Sequence, residues 1–217
     1  MSRFLTKKIL IIGAGGYGQV VADILTEAHQ AGESVCPIGY IDKGPALIGQ
    51  TFLGLPVLGT EKQLSKISHD AIIIAIGDNK IRQKVFEKLT KQKENFVIAR
   101  HPSTVIGSHV ILGPGTVICA GVVINPGTTI GANVILNTGC TIDHHSFIQD
   151  HAHIAPGVHL GGEVVVGKGT LIGIGASVIP GCHIGAECTV GAGAVVIKNL
   201  PEGVTAVGVP AKIVASG

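Results

Sequence analysis

From Ile106 onward every sixth residue is aliphatic: Leu112, Ile118, Ile124, Ile130, Leu136, Ile142, Ile148, Ile154, Leu160, Val166, Ile172, Val178, Ile184, Val190 and Val196 follow without a break in register. Two residues before each stands a small or β-branched residue or a cysteine, from Thr104 through Cys140, Ser146 and Ala152 to Ala194. A helix repeats its apolar face every 3.6 residues and a half-buried strand every 2, so a strict period of six fits neither. It predicts a triangular coil, in which each hexapeptide forms one short flat strand and one corner and three of them, 18 residues, complete a turn. The aliphatic side chain points into the prism, and the small one fits the corner beside it. The residue after the aliphatic is Gly at 107, 113, 131, 161, 167, 173, 185 and 191, and Asn or Asp at 125, 137 and 143. Those types tolerate positive φ, so the sharp bend is expected there. Sixteen hexapeptides make about five coils, a prism about 25 Å tall at a strand spacing of roughly 4.8 Å.

The pattern before the repeat is of another kind. An apolar run at 8–12, the glycine turn Gly13-Ala-Gly-Gly-Tyr-Gly18 and a helical period over 20–28 predict strand, turn and helix. Further strands are expected at 37–41, ending in Asp42, at 71–76, ending in Gly77 before a helix to about residue 89, and at 96–99. This is a small α/β domain with a parallel sheet, a Rossmann-like half, over residues 1–100, with the β-helix over 101–217. A glycine turn presents backbone N–H groups at a helix N-terminus and suits a phosphate. The sheet gathers Gly13, Gly15, Gly16, Tyr17, Asp42, Lys43 and Gly77 at the carboxyl ends of its strands, the usual ligand crevice of such folds. A dinucleotide fits less well than a nucleotide-linked sugar, because the second half of a dinucleotide fold is absent.

Composition narrows the partners. The 32 glycines lie far above the usual share of about 7% without a collagen triplet, and aromatics make up only 3%. Net charge is +2 with scattered Lys and Arg, so nucleic acid is not an expected partner. The apolar run at 9–12 is too short for a signal peptide, and no stretch approaches the roughly 20 residues of a membrane span. Five cysteines without CxxC spacing indicate neither a disulfide framework nor a zinc site, and the expected compartment is the cytoplasm.

The unbroken register resembles the hexapeptide acyltransferases, and the closing segment from Gly203 to Lys212 looks like the end of their β-helix. With the glycine-rich domain in front, the chain resembles the bacterial nucleotide-sugar acetyltransferases of bacillosamine and perosamine synthesis and the sialic acid O-acetyltransferases. The resemblance implies a left-handed parallel β-helix, a homotrimer with active sites between prisms, acetyl-CoA as co-substrate without a metal, and a nucleotide-sugar held by the α/β domain. It favours N-acetylation of a UDP-linked 4-amino sugar of the bacillosamine type, with GDP-perosamine or O-acetylation of a sialic acid as alternatives.

Acetyl transfer needs a base for the acceptor proton, donors for the oxyanion and a slot for pantetheine. His144 stands two residues after an inward isoleucine, and the stretch Asn137-Thr-Gly-Cys-Thr-Ile-Asp-His144 matches the family segment that holds the catalytic histidine. One coil later, at 144 plus 18, is Gly162, whose N–H is the expected oxyanion donor. The resemblance implies that His153, Ile174 and Ala192 line the acetyl-CoA cleft and that Asn137 lies near the acceptor. It also implies an acid directly after the base, where this chain has His145. Either Asp143 or Asp150 substitutes, or the base is weaker. Asp143 otherwise serves the corner backbone. A metal-dependent hydratase on the same fold would need a His-x4-His pair, which is absent from the sequence.

Overall fold

The computed structural model describes residues 6–216 and divides into two compact units between Pro102 and Ser103. Residues 1–5 and 217 of the two expected domains lie outside the described residues.

In the first unit, strand β1 (Lys7–Ile12) is an interior strand buried from Ile9 to Ile12, helix α1 (Gly16–Gln30) follows, and β2 (Val35–Ile41) lies parallel to β1. The short β3 (Thr51–Phe52) and β4 (Leu55–Gly59) form a hairpin at the edge, with β4 parallel to β2. Strand β5 (Ala71–Ile74) lies on the other side of β1, giving the order β3-β4-β2-β1-β5, and helix α2 (Asn79–Lys91) follows it. Leu10, Ile12, Ile41, Ile72, Ile74 and Leu89 form a core cluster of this unit. Of the expected strand at 96–99, Phe96 makes one bridge to Ile72 and Ala99 opens a two-residue strand with Arg100, while the Phe96 and Phe86 rings pack with centroids 4.3 Å apart. The additional parallel strand is β4 instead, a segment whose Pro56 and Gly59 give it the appearance of a loop.

The second unit is a parallel β-helix. Each hexapeptide contributes a two-residue strand, and every strand pairs in parallel with the one 18 residues away: Thr141–Ile142 lies between Val123–Ile124 and His159–Leu160. Three faces result, stacked through residues 123, 141 and 159, through 129, 147 and 165, and through 135, 153 and 171. From Ile118 to Val196 every inward aliphatic residue is at most 3% exposed. Each contributes about 1.5–3 kcal/mol by leaving water, which isolated two-residue strands could not supply by hydrogen bonding alone. Val204–Val207 extends the third face on Thr189–Val190, and Lys212–Ser216 returns antiparallel to it.

The bend is not where the glycine pattern places it. Positive φ falls three residues after the aliphatic, at Gly121, Gly127, Gly139, Gly157 and their equivalents, and at His109, Asn133, His145, His151, Glu163 and Glu187. None of the expected positions directly after the aliphatic has positive φ. With Pro114, Pro126, Pro156 and Pro180 just before the left-handed residue, the corner has the sequence order of a type II turn. Glycine directly after the aliphatic answers to space instead: a Cβ on Gly107 would stand 2.7 Å from the ring of Pro126 in the next coil, and one on Gly167 would run into the backbone of Gly185 and Ala186. Asn and Asp at this position bond between coils, as Asn125 Nδ2 does to Asp143 Oδ1 at 2.7 Å.

These two demands separate under mutation. Gly167→Ala overpacks a coil contact and is expected to cost about 1–3 kcal/mol in urea unfolding. Gly157→Asn, at φ +66 with open space around it and Asn133 as precedent, is expected to cost under about 1 kcal/mol. Equal losses would show that the two positions are not distinguished in this way.

Candidate active site

In the first unit a cleft of about 680 Å3 opens at the carboxyl ends of β1, β2 and β5. Of the expected contacts, Gly13, Asp42 and Lys43 line it, together with Ile12, Ile41 and Ile76. Gly13 has φ +115, and a Cβ there would stand 2.7 Å from the Ala75 carbonyl oxygen, so only glycine lets β1 turn this close to the chain leaving β5. Gly15 is the N-cap of α1 and makes no side-chain cap bond, and Gly15 and Gly16 are exposed with nothing near their Cβ positions. Asp42 ties the turn together: Oδ2 accepts from Ala14 N–H and Oδ1 from Gly44 N–H, both at 2.9 Å. Its carboxylate therefore shapes the crevice from within. Lys43 and Lys62 place two cations at the cleft beside the carboxylates of Asp42 and Glu61, and Gly77 and Tyr17 are not among its lining residues.

Two parts of this crevice escape a reading of the sequence. Thr60 to Gln63 form one wall, with Gln63 Oε1 accepting from the N–H and hydroxyl of Thr60 at 2.8 and 2.7 Å. The T-x-x-Q spacing of a capping box was the available signal. Arg82, 1% exposed, donates to the carbonyls of Ile76 and Gly77 at 3.2 Å and to Asn79 Oδ1 at 2.9 Å, bracing the loop after β5. Burial lowers its guanidinium to about 10, against the opposing influence of Tyr17 and Asp78, so it is still a cation at neutral pH. Its place on the inner face of α2, seven residues before Leu89, is its only mark in the sequence.

In the second unit His144 is exposed at the corner between the faces of Thr141–Ile142 and Phe147–Ile148. Its ring lies against Gly162, one coil on: a Cβ at 162 would stand 2.6 Å from Cε1 and 2.7 Å from Nε2. Gly162 is buried, and its amide donates to no protein acceptor among the described residues. His144 Nδ1 is 3.1 Å from His145 Nδ1. Neither candidate acid reaches the ring. Asp143 Oδ1 accepts from the His144 backbone N–H at 2.8 Å as well as from Asn125, and Asp150 Oδ1 accepts from Ala132 N–H at 2.7 Å. The Asn125 bond, then the His144 N–H, hold the Asp143 carboxyl below its ordinary value, so it is an anion that serves the backbone.

The remaining candidates sit elsewhere on the prism. His153 is half-buried on the third face, between Ile135 and Leu171, and its Nε2 is 3.3 Å from Asn137 Nδ2. Asn137 Oδ1 accepts from Thr138 N–H at 2.8 Å, so that residue serves its corner and touches His153. Ile174, 61% exposed, and the exposed Ala192 are one coil apart on the corner that follows this face. One chain thus keeps His144 and Gly162 together, and keeps His153, Asn137, Ile174 and Ala192 on another part of the surface. Among the described residues no group of three or more His, Cys, Asp or Glu side chains is placed to hold a metal ion.

Known proteins share both halves. Residues 8–89 match the PglD N-terminal domain, and 103–138 and 163–198 match the bacterial transferase hexapeptide (six repeats). GDP-perosamine N-acetyltransferase of Escherichia coli O157:H7 is 32% identical over 170 residues, 77% of this chain and 76% of that one. Among solved structures, PerB of Caulobacter crescentus in complex with CoA and GDP-perosamine is 40% identical with a TM-score of 0.87, over 96% of this chain and 97% of that one. The acetyltransferase domain of PglB from Neisseria gonorrhoeae FA1090 in complex with acetyl coenzyme A is 33% identical with a TM-score of 0.89, over 96% and 100%. An α/β unit with a glycine-turned crevice, a hexapeptide β-helix with a corner histidine set on a buried glycine, and this breadth of likeness place the chain in the hexapeptide-repeat sugar acetyltransferases.

Proposed function

We propose that the protein transfers the acetyl group of acetyl-CoA to the amino group of a nucleotide-linked 4-amino-4,6-dideoxy sugar. The α/β unit, residues 1–100, holds the nucleotide, and the β-helix, residues 101–217, carries the chemistry. The observation that supports this reading is the seating of the His144 ring on Gly162, which brings together an imidazole and a residue whose N–H has no protein acceptor among the described residues. The acceptor cleft supports it: about 680 Å3 suits a nucleotide, its isoleucine floor suits a base, and Lys43 and Lys62 suit a diphosphate.

The step needs no covalent enzyme intermediate. His144 Nε2 takes the amine proton as nitrogen attacks the thioester carbonyl carbon. A C–N bond forms, and the carbonyl oxygen becomes an oxyanion that Gly162 N–H stabilises. The C–S bond then breaks, and the departing CoA thiolate takes the proton from the His144 imidazolium. His153, Ile174 and Ala192 form the acetyl-CoA wall. Since one face of the prism separates them from His144, the active site is completed by a neighbouring copy in a homotrimer, and light scattering is expected to give three times the 22.1 kDa chain mass.

Guanosine is favoured as the nucleotide by the 40% identity to the enzyme bound to GDP-perosamine across 96% of this chain. A UDP-linked amino sugar of the bacillosamine type is the second reading, supported by the likeness to the Neisseria domain.

The test is acetyl transfer over a panel of GDP-linked 4-amino, UDP-linked 4-amino and CMP-sialic acceptors. Turnover of the GDP-amino sugar is expected. Turnover of the sialic hydroxyl alone would convert the reading to O-acetylation, and turnover of no amino sugar would end it. On the preferred acceptor, His144→Asn is expected to lower kcat by about 10^2- to 10^4-fold. Gly162→Ala, whose methyl displaces the ring, is expected to lower it by about 10^2-fold or more. Binding of the nucleotide to either variant should be unchanged in calorimetry. Wild-type kcat in both variants would move the base elsewhere.

A further inference from the structure

The two rings at this corner are joined by one hydrogen bond, and that bond decides which nitrogen of His144 is free. His144 Nδ1 and His145 Nδ1 are 3.1 Å apart, with ring planes 74° to one another. Two such nitrogens at this separation hold one proton between them. If His145 donates, His144 carries its own proton on Nε2 and has no lone pair for an acceptor. If His144 donates, its Nε2 is bare and faces the Gly162 side of the corner.

His145 is built into this place. It adopts φ +56, in the left-handed region that histidine enters with some cost, and its ring lies on Gly127 in the preceding coil. A Cβ on Gly127 would stand 2.8 Å from His145 Cδ2 and 3.0 Å from Nε2, so only glycine leaves room for the ring. The backbone bond from His145 N–H to the Pro126 carbonyl, at 3.1 Å, fixes the corner from beneath. The two rings therefore lean in opposite directions along the prism, His144 onto the coil above and His145 onto the coil below, and meet at their Nδ1 atoms.

We infer that His145 is a positioning residue that accepts the Nδ1 proton of His144, holds it in the tautomer with a bare Nε2, and supports the imidazolium after Nε2 is protonated, without adding a negative charge. The inference rests on the proposed role of His144 as base. Its chemistry differs from that of a carboxylate at the same place. A neutral acceptor orients the ring but adds no coulombic attraction for the imidazolium, which a carboxylate would add. The charged groups around the pair are few. Asp143 faces His144 through its backbone N–H, and Glu163, exposed one coil above His145, donates its N–H to the His144 carbonyl. Gly127 and Gly162, on which the two rings lie, carry no charge.

The full-length protein labelled with 15N in histidine tests this directly. At a pH above the ring titrations, nitrogen shifts are expected to show His144 protonated on Nδ1, and His145→Phe, which keeps a ring but no acceptor, is expected to release that preference. A wild-type His144 protonated on Nε2, or a tautomer unmoved in His145→Phe, would overturn the inference whatever the activity of the enzyme. In kinetics, His145→Phe is expected to lose about 10-fold or more in kcat with KM for acetyl-CoA little changed, and His145→Gln, which restores an acceptor oxygen, to recover most of it. His145→Glu is expected to stay active with the acid limb of its pH profile moved upward, because a carboxylate raises the proton affinity of His144. An acid limb identical in wild type, His145→Gln and His145→Glu would also overturn it. His144→Asn keeps the questions apart: retained activity there would remove the base assignment, while the nitrogen shifts would still report the tautomer.

Discussion

The inward stacking of one aliphatic side chain per hexapeptide, repeated in register every 18 residues, is the constraint on which the β-helix depends. Strands of two residues have almost no stability of their own, and their parallel pairing survives because Ile124, Ile142, Leu160 and Val178 bury one above another. Once that register is set, any residue is placed directly over the one 18 positions earlier. Chemistry at a corner is then a matter of which residues share a column and how much room each leaves for the next.

That is how the candidate site is built. Gly162 is above His144 and Gly127 is below His145, and in both cases a missing side chain gives a histidine ring its seat. Asn125 and Asp143 occupy the adjacent column and bond to one another, so that the acid nearest the base is committed to the backbone N–H of His144. The same economy governs the α/β unit, where Gly13 lets two chain segments approach and Asp42 is committed to the turn that it borders. In both units the nearest carboxylates, Asp42 and Asp143, serve the backbone, each accepting from main-chain N–H groups.

Much of this is legible in the sequence because the repeat is legible. The sixteen-fold period gives the prism, the inward and small positions, and the 18-residue relation of His144 to Gly162. What it misplaces is the bend. Glycine and asparagine recur both directly after the aliphatic and three residues after it, and composition alone does not separate a residue chosen for space, as Gly167 is, from one at positive φ, as Gly157 is. The left-handed backbone of His145, Glu163 and Glu187 leaves no trace in residue type. In the first unit, β4 is hidden by Pro56 and Gly59, and with it the wall at Thr60 to Gln63. Arg82 is hidden because a buried cation on a surface helix runs against expectation until the carbonyls of Ile76 and Gly77 are seen beside it.

In the proposed reaction one corner supplies both the base and the oxyanion donor. A crystal structure of the enzyme with a tetrahedral bisubstrate analogue, CoA joined through its sulfur to a nucleotide-linked 4-amino sugar, measures it most directly. The analogue oxygen is expected about 2.7–3.1 Å from Gly162 N and the analogue nitrogen within hydrogen-bond reach of His144 Nε2. An analogue bound with its tetrahedral centre away from this corner, or with another side chain on its nitrogen, would contradict it.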